Sequence, residues 1–171
     1  MNNEYKQEMN RVIETFRLPR YQEIPNVGLY LEQTSKYIGD YLAPLKDMSI
    51  TASMVSNYVK KKLVRNPVHK QYDREQIAAL FFIAVAKSVL SLDNIRMMLD
   101  LQKASYDPQK AYDYFCEEFE TALRHVFGLE PQLSEVNTGH AEEKIMLRKM
   151  IVTVAHKVCL DEYFERMKQA E

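Results

Sequence analysis

The 171-residue sequence predicts an all-α protein, and three observations carry that prediction. Four glycines and six prolines are too few to turn many short strands back on one another. In most segments apolar residues recur at the three- and four-residue spacing of a helix. Twelve of the fifteen residues from Gln76 to Leu90 are apolar, which suits a helix buried on most sides at the centre of a fold.

The elements follow in order. Asn3 to Phe16 reads as a polar first helix with Met9, Val12, Ile13 and Phe16 along one stripe. Leu18 to Asn26, holding Pro19 and Pro25, reads as a linker. A helix is expected from about Val27 to Leu42, with Leu31, Thr34, Ser35 and Ile38 on one face. Ala43 to Ser49 makes a turn, and Thr51 is a good N-cap for a helix reaching about Lys62. Leu63 to Gln71 is a short extended connection broken by Pro67. Asp73 and Gln76 form a capping-box-like start for the central helix, which is expected to end near Leu90. Ser91 caps a further helix through about Leu101, with Ile95, Met98 and Leu99 inward. Two longer helices follow, Pro108 to Phe127 and about Ala141 to Lys168, joined by a loop from Gly128 to His140. Their stripes are Phe115, Phe119, Ala122, Leu123 and Val126, then Leu147, Ile151, Val154, Ala155 and Val158. The expected organisation is an N-terminal helix and linker over 1–25, a core unit over 26–101 and a helical C-terminal region over 102–171.

Several function classes are excluded. The longest apolar run, Ile77 to Ala86, is about half of what a membrane span needs. Met1 to Glu14 is polar and lacks the apolar stretch of a secretory signal, and two cysteines make no disulfide framework. A cytoplasmic chain with reduced Cys116 and Cys159 is expected. The four glycines, at 28, 39, 128 and 139, form no phosphate-cradling loop, and no Ser or Cys nucleophile sits in a recognisable motif beside a histidine. Neither an enzyme nor a cofactor is expected. His156 and Cys159 lie three apart on a helix, but two ligands are too few for a metal, so a satisfied or core placement is expected. His140 with Glu142 and Glu143 reads as a helix start. Tyr106, Tyr112, Tyr114 and Phe115 read as core or interface, the alternative being an effector pocket whose rings suit apolar cations.

The charge is unevenly placed. From Ser56 to Arg74 it sums to +5, so the remainder of a chain with net charge −1 carries −6. A local basic patch attracts phosphate backbones, and the plain alternative is a solvated lysine-rich helix end. On the helix Thr51 to Lys62, Val55, Tyr58 and Val59 share one face. Ser53, Ser56, Asn57 and Lys60 lie opposite at i, i+3, i+4 and i+7. Short hydrogen-bonding groups without a carboxylate suit close approach to base edges, while neighbouring cations hold phosphates. Arg65, His69 and Lys70 in the connection that follows would lie beside the groove as an arm or wing.

The stretch Ile50-Thr51-Ala52-Ser53-Met54-Val55-Ser56-Asn57-Tyr58-Val59-Lys60-Lys61-Lys62-Leu63-Val64, then Pro67 and Tyr72-Asp73-Arg74-Glu75-Gln76-Ile77, resembles the MerR-type helix-turn-helix. Val89-Leu90-Ser91-Leu92-Asp93-Asn94-Ile95 is similar to the phrase that opens that family's fourth helix. The wider chain, including Arg17-Leu18-Pro19-Arg20-Tyr21 and Asn26-Val27-Gly28-Leu29-Tyr30, is similar to a bacterial family that bears such a unit. The resemblance implies a cytoplasmic, homodimeric transcriptional regulator bound to double-stranded DNA at a pseudo-palindromic site. Ser53, Ser56, Asn57 and Lys60 would face bases, and Lys61, Lys62, Arg65, His69 and Lys70 would hold phosphates. Serines stand at 53 and 56 where the family commonly carries arginines. The loop from Arg65 to Tyr72 is shorter than the usual wing, so a short or absent wing is expected, and the turn Ala43 to Ser49 is longer than that of a tight helix-turn-helix. The region after the DNA-binding unit would dimerise or sense a small-molecule effector. Its last helix, about 42 Å long at 1.5 Å per residue, would pack either on a partner chain or on its neighbour in the same chain. The alternative function is a helical protein-interaction module that keeps the fold without specific DNA binding.

Overall fold

The computed structural model describes residues 3–133 and 142–169. Among them are seven helices: α1 (Asn3–Thr15), α2 (Leu31–Leu42), α3 (Ala52–Lys60), α4 (Arg74–Ala86), α5 (Leu92–Ser105), α6 (Pro108–Val126) and α7 (Glu142–Gln169). Two short strands, β1 (Leu29–Tyr30) and β2 (Gln71–Tyr72), pair antiparallel. The chain is thus mostly helical, as the glycine and proline content implied. Ten of the thirteen residues of α4 are buried, and the helix packs against α2, α5, α6 and α7. A single buried apolar cluster runs from Met9 in α1 to Val158 in α7.

Local chemistry starts the helices where the sequence indicates. The Thr51 hydroxyl accepts from the Met54 N–H at 3.2 Å, and the Ser91 hydroxyl accepts from Asn94 at 3.2 Å. Asp73 Oδ1 accepts from the Gln76 N–H at 3.0 Å while Gln76 Oε1 accepts from the Asp73 N–H at 2.9 Å, a complete capping box. The ends differ more. Helix α4 stops at Ala86, not Leu90, because the Val89 N–H bonds back three residues to the Ala86 carbonyl and tightens the chain into a turn. Helix α5 runs past Leu101 to Ser105, until Asp107 and Pro108 open the next helix.

Two connections are more structured than expected. Val27 to Tyr30 is not helical, since Leu29 pairs with Tyr72 and Tyr30 with Gln71. Gly28 permits this approach: a Cβ there would lie 2.6 Å from Gln71 Cβ. Beyond α3, Val68 and Gln71 exchange both backbone hydrogen bonds, at 3.1 and 2.9 Å, across His69 and Lys70. Those two residues have φ of 50° and 64°, the mark of a two-residue I′ hairpin turn. A short hairpin therefore stands where a short or absent wing was expected.

The stretch after α1 is no free linker. Leu18 and Ile24 are fully buried, and Tyr21–Glu23 forms a 3-10 turn packed on α6. Arg20 reaches the buried Glu120 with both terminal nitrogens, at 2.7 and 2.8 Å, and the Leu18 N–H donates to the same carboxylate at 2.9 Å. The Tyr21 N–H donates to Asp113 at 2.7 Å. These donors compensate a carboxylate that burial would otherwise penalise.

Helices α6 and α7 pack on each other within the chain, burying Met150, Ile151, Val154, Ala155 and Val158. Near its C-terminal end α7 also carries the buried Glu162, which pairs with Lys46 of the α2–α3 connection at 3.3 Å. Leu160, Tyr163, Phe164 and Met167 remain exposed, Met167 by 66%. His156 is exposed rather than core, because its position on α7 faces away from α6, while Cys159 is half-buried. Among the described residues no three or more His, Cys, Asp or Glu side chains gather as a metal site, and His140 lies outside them. No described helix is long and apolar enough to cross a membrane.

Candidate nucleic-acid interface

Helix α3 sorts its side chains as the 3.6-residue period requires. Val55 and Tyr58 are buried, whereas Ser53, Ser56, Asn57 and Lys60 are all exposed. No carboxylate stands anywhere on the helix. Its end is built by backbone geometry. The Leu63 N–H donates to the Tyr58 carbonyl and the Lys62 N–H to the Val59 carbonyl, both at 2.9 Å, the two bonds of a Schellman motif. The left-handed residue such a motif demands is Lys62, at φ 59°, where glycine is usual. Buried Leu63 then anchors the chain below it.

Arg96 of α5 adds a cation that the linear reading did not find. Its Nη2 donates to the Lys61 carbonyl at 2.6 Å, against the negative end of the α3 dipole. Thirty-five positions separate the two residues, so no local pattern announces the contact.

The basic side chains fall into two groups. Lys60, Lys61, Lys62, His69 and Lys70 are exposed and, among the described residues, form no side-chain hydrogen bond or ion pair. Arg65 is also exposed, but its guanidinium is held by Asp73 and lies 3.8 Å from Glu75. It thereby offsets part of the negative charge of the two acids at the start of α4. Arg74, counted in the basic stretch, turns away altogether: it donates to the Ile24 carbonyl at 2.8 Å and lies over the Tyr21 ring at 5.7 Å. Gln76 ties the connection to the central helix by donating to the Arg65 carbonyl at 2.8 Å.

Backbone strain concentrates in the same stretch. Among the described residues four that are not glycine have positive φ: Asp47, Lys62, His69 and Lys70. Three of these carry unpaired basic side chains. A left-handed conformation costs a residue with a Cβ about 1 kcal/mol relative to glycine, so cations are kept at places where a neutral glycine would be more stable.

The sequence-predicted aromatic set divides as well. Tyr112 and Phe115 are buried in the core, while Tyr106 and Tyr114 are half-buried beside a cavity that Phe115 also borders.

A family model described as "Domain of unknown function (DUF1836)" matches residues 19–115, more than half of the chain. The chain belongs to the DUF1836 family. The DUF1836 region takes in the 3-10 turn, both strands, α2 to α5 and the first part of α6, and so all nine candidate interface residues. No curated protein and no solved structure matches the chain.

Proposed function

We propose that this DUF1836 protein is a sequence-specific DNA-binding transcriptional regulator of the cytoplasm, acting as a homodimer through a MerR-like helix-turn-helix formed by α2 and α3. Helix α3 enters the major groove with Ser53, Ser56, Asn57 and Lys60 toward base edges. Lys61, Lys62, His69 and Lys70 bind phosphates on either side. Arg65 shields those phosphates from Asp73 and Glu75. The hairpin tip at His69 and Lys70 acts as a minimal wing.

The observation that carries this reading is the carboxylate-free exposed face of α3, continued by basic side chains, five in all, that have no partner among the described residues. Lysines elsewhere in the chain are paired in some places, as Lys36 with Asp40 and Lys157 with Asp161, and unpaired in others, as Lys103 and Lys149. What supports the reading is the gathering of five unpaired basic groups beside a face without a carboxylate. The second copy is expected along Leu160, Tyr163, Phe164 and Met167. Their i, i+3, i+4, i+7 spacing puts them in one exposed apolar stripe on α7, and a two-fold dimer would bury that same stripe on both copies.

The exposed stripe also favours a second reading, a helical protein-interaction module that binds another chain there and no specific DNA. Selection from a pool of random duplex DNA, at near-physiological and at higher salt, separates the two. A regulator enriches a palindromic motif whose half-site spacing locates the two α3 helices. Weak, unselective binding abolished by modest salt overturns the regulator reading in favour of the module.

A further inference from the structure

Between α4, α5, α6 and the first turns of α7 lies a cavity of about 300 Å³. It opens to solvent on the side where Leu101, Lys110 and Met146 are exposed, and its volume falls at the small end of the range for ligand sites. Phe82, Met98, Leu101, Phe115, Met146 and Leu147 make the wall largely apolar. The two methionines allow it to reshape around different bodies.

The polar groups are few. The Lys144 ammonium lies over two rings at once, 5.8 Å from the centre of Tyr106 and 5.3 Å from that of Tyr114. Lys110 supplies a second ammonium to the wall and Glu143 a single carboxylate. Neither lysine has an ion-pair partner among the described residues. The hydroxyl of Tyr114 is buried and makes no hydrogen bond, which is costly unless a partner arrives.

We propose that this cavity binds a small amphipathic carboxylate, its apolar body among the aromatic and methionine side chains and its head on Lys144 and Lys110. The rings already hold a cation that the protein itself provides. A cationic ligand would have to expel Lys144 and would then meet Lys110. An anion instead pairs with an ammonium that the two rings keep in place, and it brings acceptors to a wall rich in donors. A neutral apolar molecule fills the space but leaves those donors without acceptors.

The test needs no DNA, so its outcome is separate from that of the regulator reading. Calorimetry on the full chain compares decanoate, decanol and decyltrimethylammonium, each below its micellar concentration. Decanoate is expected to bind at least about tenfold more tightly than decanol, with the cation weaker than both. Lys144→Met should remove the advantage of decanoate while leaving decanol nearly unchanged. Leu101→Trp, at a partly exposed wall position, should block both probes without moving the melting temperature. The proposal is overturned if decanoate does not bind, if the cation binds as tightly, or if Lys144→Met leaves the decanoate affinity unaltered.

Discussion

Arg20 and Glu120 stand a hundred positions apart in sequence and meet in a two-pronged ion pair, Nη1 to Oε1 at 2.7 Å and Nη2 to Oε2 at 2.8 Å. Glu120 is 6% exposed and also accepts the Leu18 N–H, so one carboxylate fastens the segment after α1 onto α6. The pair holds Arg20 more firmly protonated than an ordinary guanidinium, through its hydrogen bonds to Glu120. Glu120→Ala leaves Arg20 without its partner and should lower the stability of the chain by about 3–5 kcal/mol. Urea unfolding followed by circular dichroism checks this, and a loss below 1 kcal/mol would show the clasp to be dispensable.

Strain at Lys62, His69 and Lys70 gives a prediction in which stability and binding move oppositely. Lys62→Gly should stabilise the fold by about 0.5–1 kcal/mol, since glycine takes the left-handed Schellman position without steric cost. The double change His69→Asn with Lys70→Gly should do the same for the I′ turn. Both variants should bind DNA more weakly and with a shallower salt dependence. Thermal melts and titrations at three salt concentrations read the two effects separately.

Two single changes on the interface should part company. Asn57→Ala is expected to cost about 1–3 kcal/mol on the selected site and little on random duplex, because a base contact is lost. Lys61→Ala should weaken binding to every sequence and reduce the salt slope by about 1. Equal losses on specific and random DNA from both variants would sink the assignment of these roles.

Alanine substitution at two glycines should give opposite signs. A Cβ at Gly28 would sit 2.6 Å from Gln71 Cβ, so Gly28→Ala must push β1 from β2 and should destabilise by about 1–3 kcal/mol. Gly39 lies inside α2 with nothing within 4 Å of a Cβ, and Gly39→Ala should stabilise by about 0.5–1 kcal/mol. Chemical denaturation of both variants reads the signs.

Burial pushes the Cys116 thiol up to about 12, while Cys159 is raised by burial from a half-buried site. At pH 8 a thiol reagent should therefore leave Cys116 of the native protein unlabelled, and both cysteines should react in urea. Above pH 9 the unfolded chain releases the Cys116 proton while the folded chain retains it. This group's contribution to stability is thus complete below pH 9 and lost by about pH 12, and Cys116→Ala should flatten that alkaline decline.

What could be read from the sequence was what neighbouring residues decide. The caps at Thr51, Asp73 and Ser91 depend on side chains three positions from their partners, and each is found in place. The sorting of α3 into Val55 and Tyr58 against Ser53, Ser56, Asn57 and Lys60 follows from helical period alone. What escaped was decided across the fold. Leu29 and Tyr30 look like the start of a helix until Gln71 and Tyr72 offer a strand to pair with. Arg65, Arg74 and Arg96 are indistinguishable as letters, yet the first pairs with Asp73, the second clasps the 3-10 segment and the third braces the end of α3. The cavity beside Lys144 is likewise a product of four helices and has no signature in any one of them.

The family match stops at residue 115, midway along α6, and this has a consequence for how the molecule can be divided. The half of α6 beyond that point supplies Phe119, Ala122 and Leu123 to the common core and Glu120 to Arg20. A fragment cut after residue 115 would retain the matched span and lose part of what closes around it. The span that the family model matches is shorter than the span that packs into one core, and α6 crosses from one into the other.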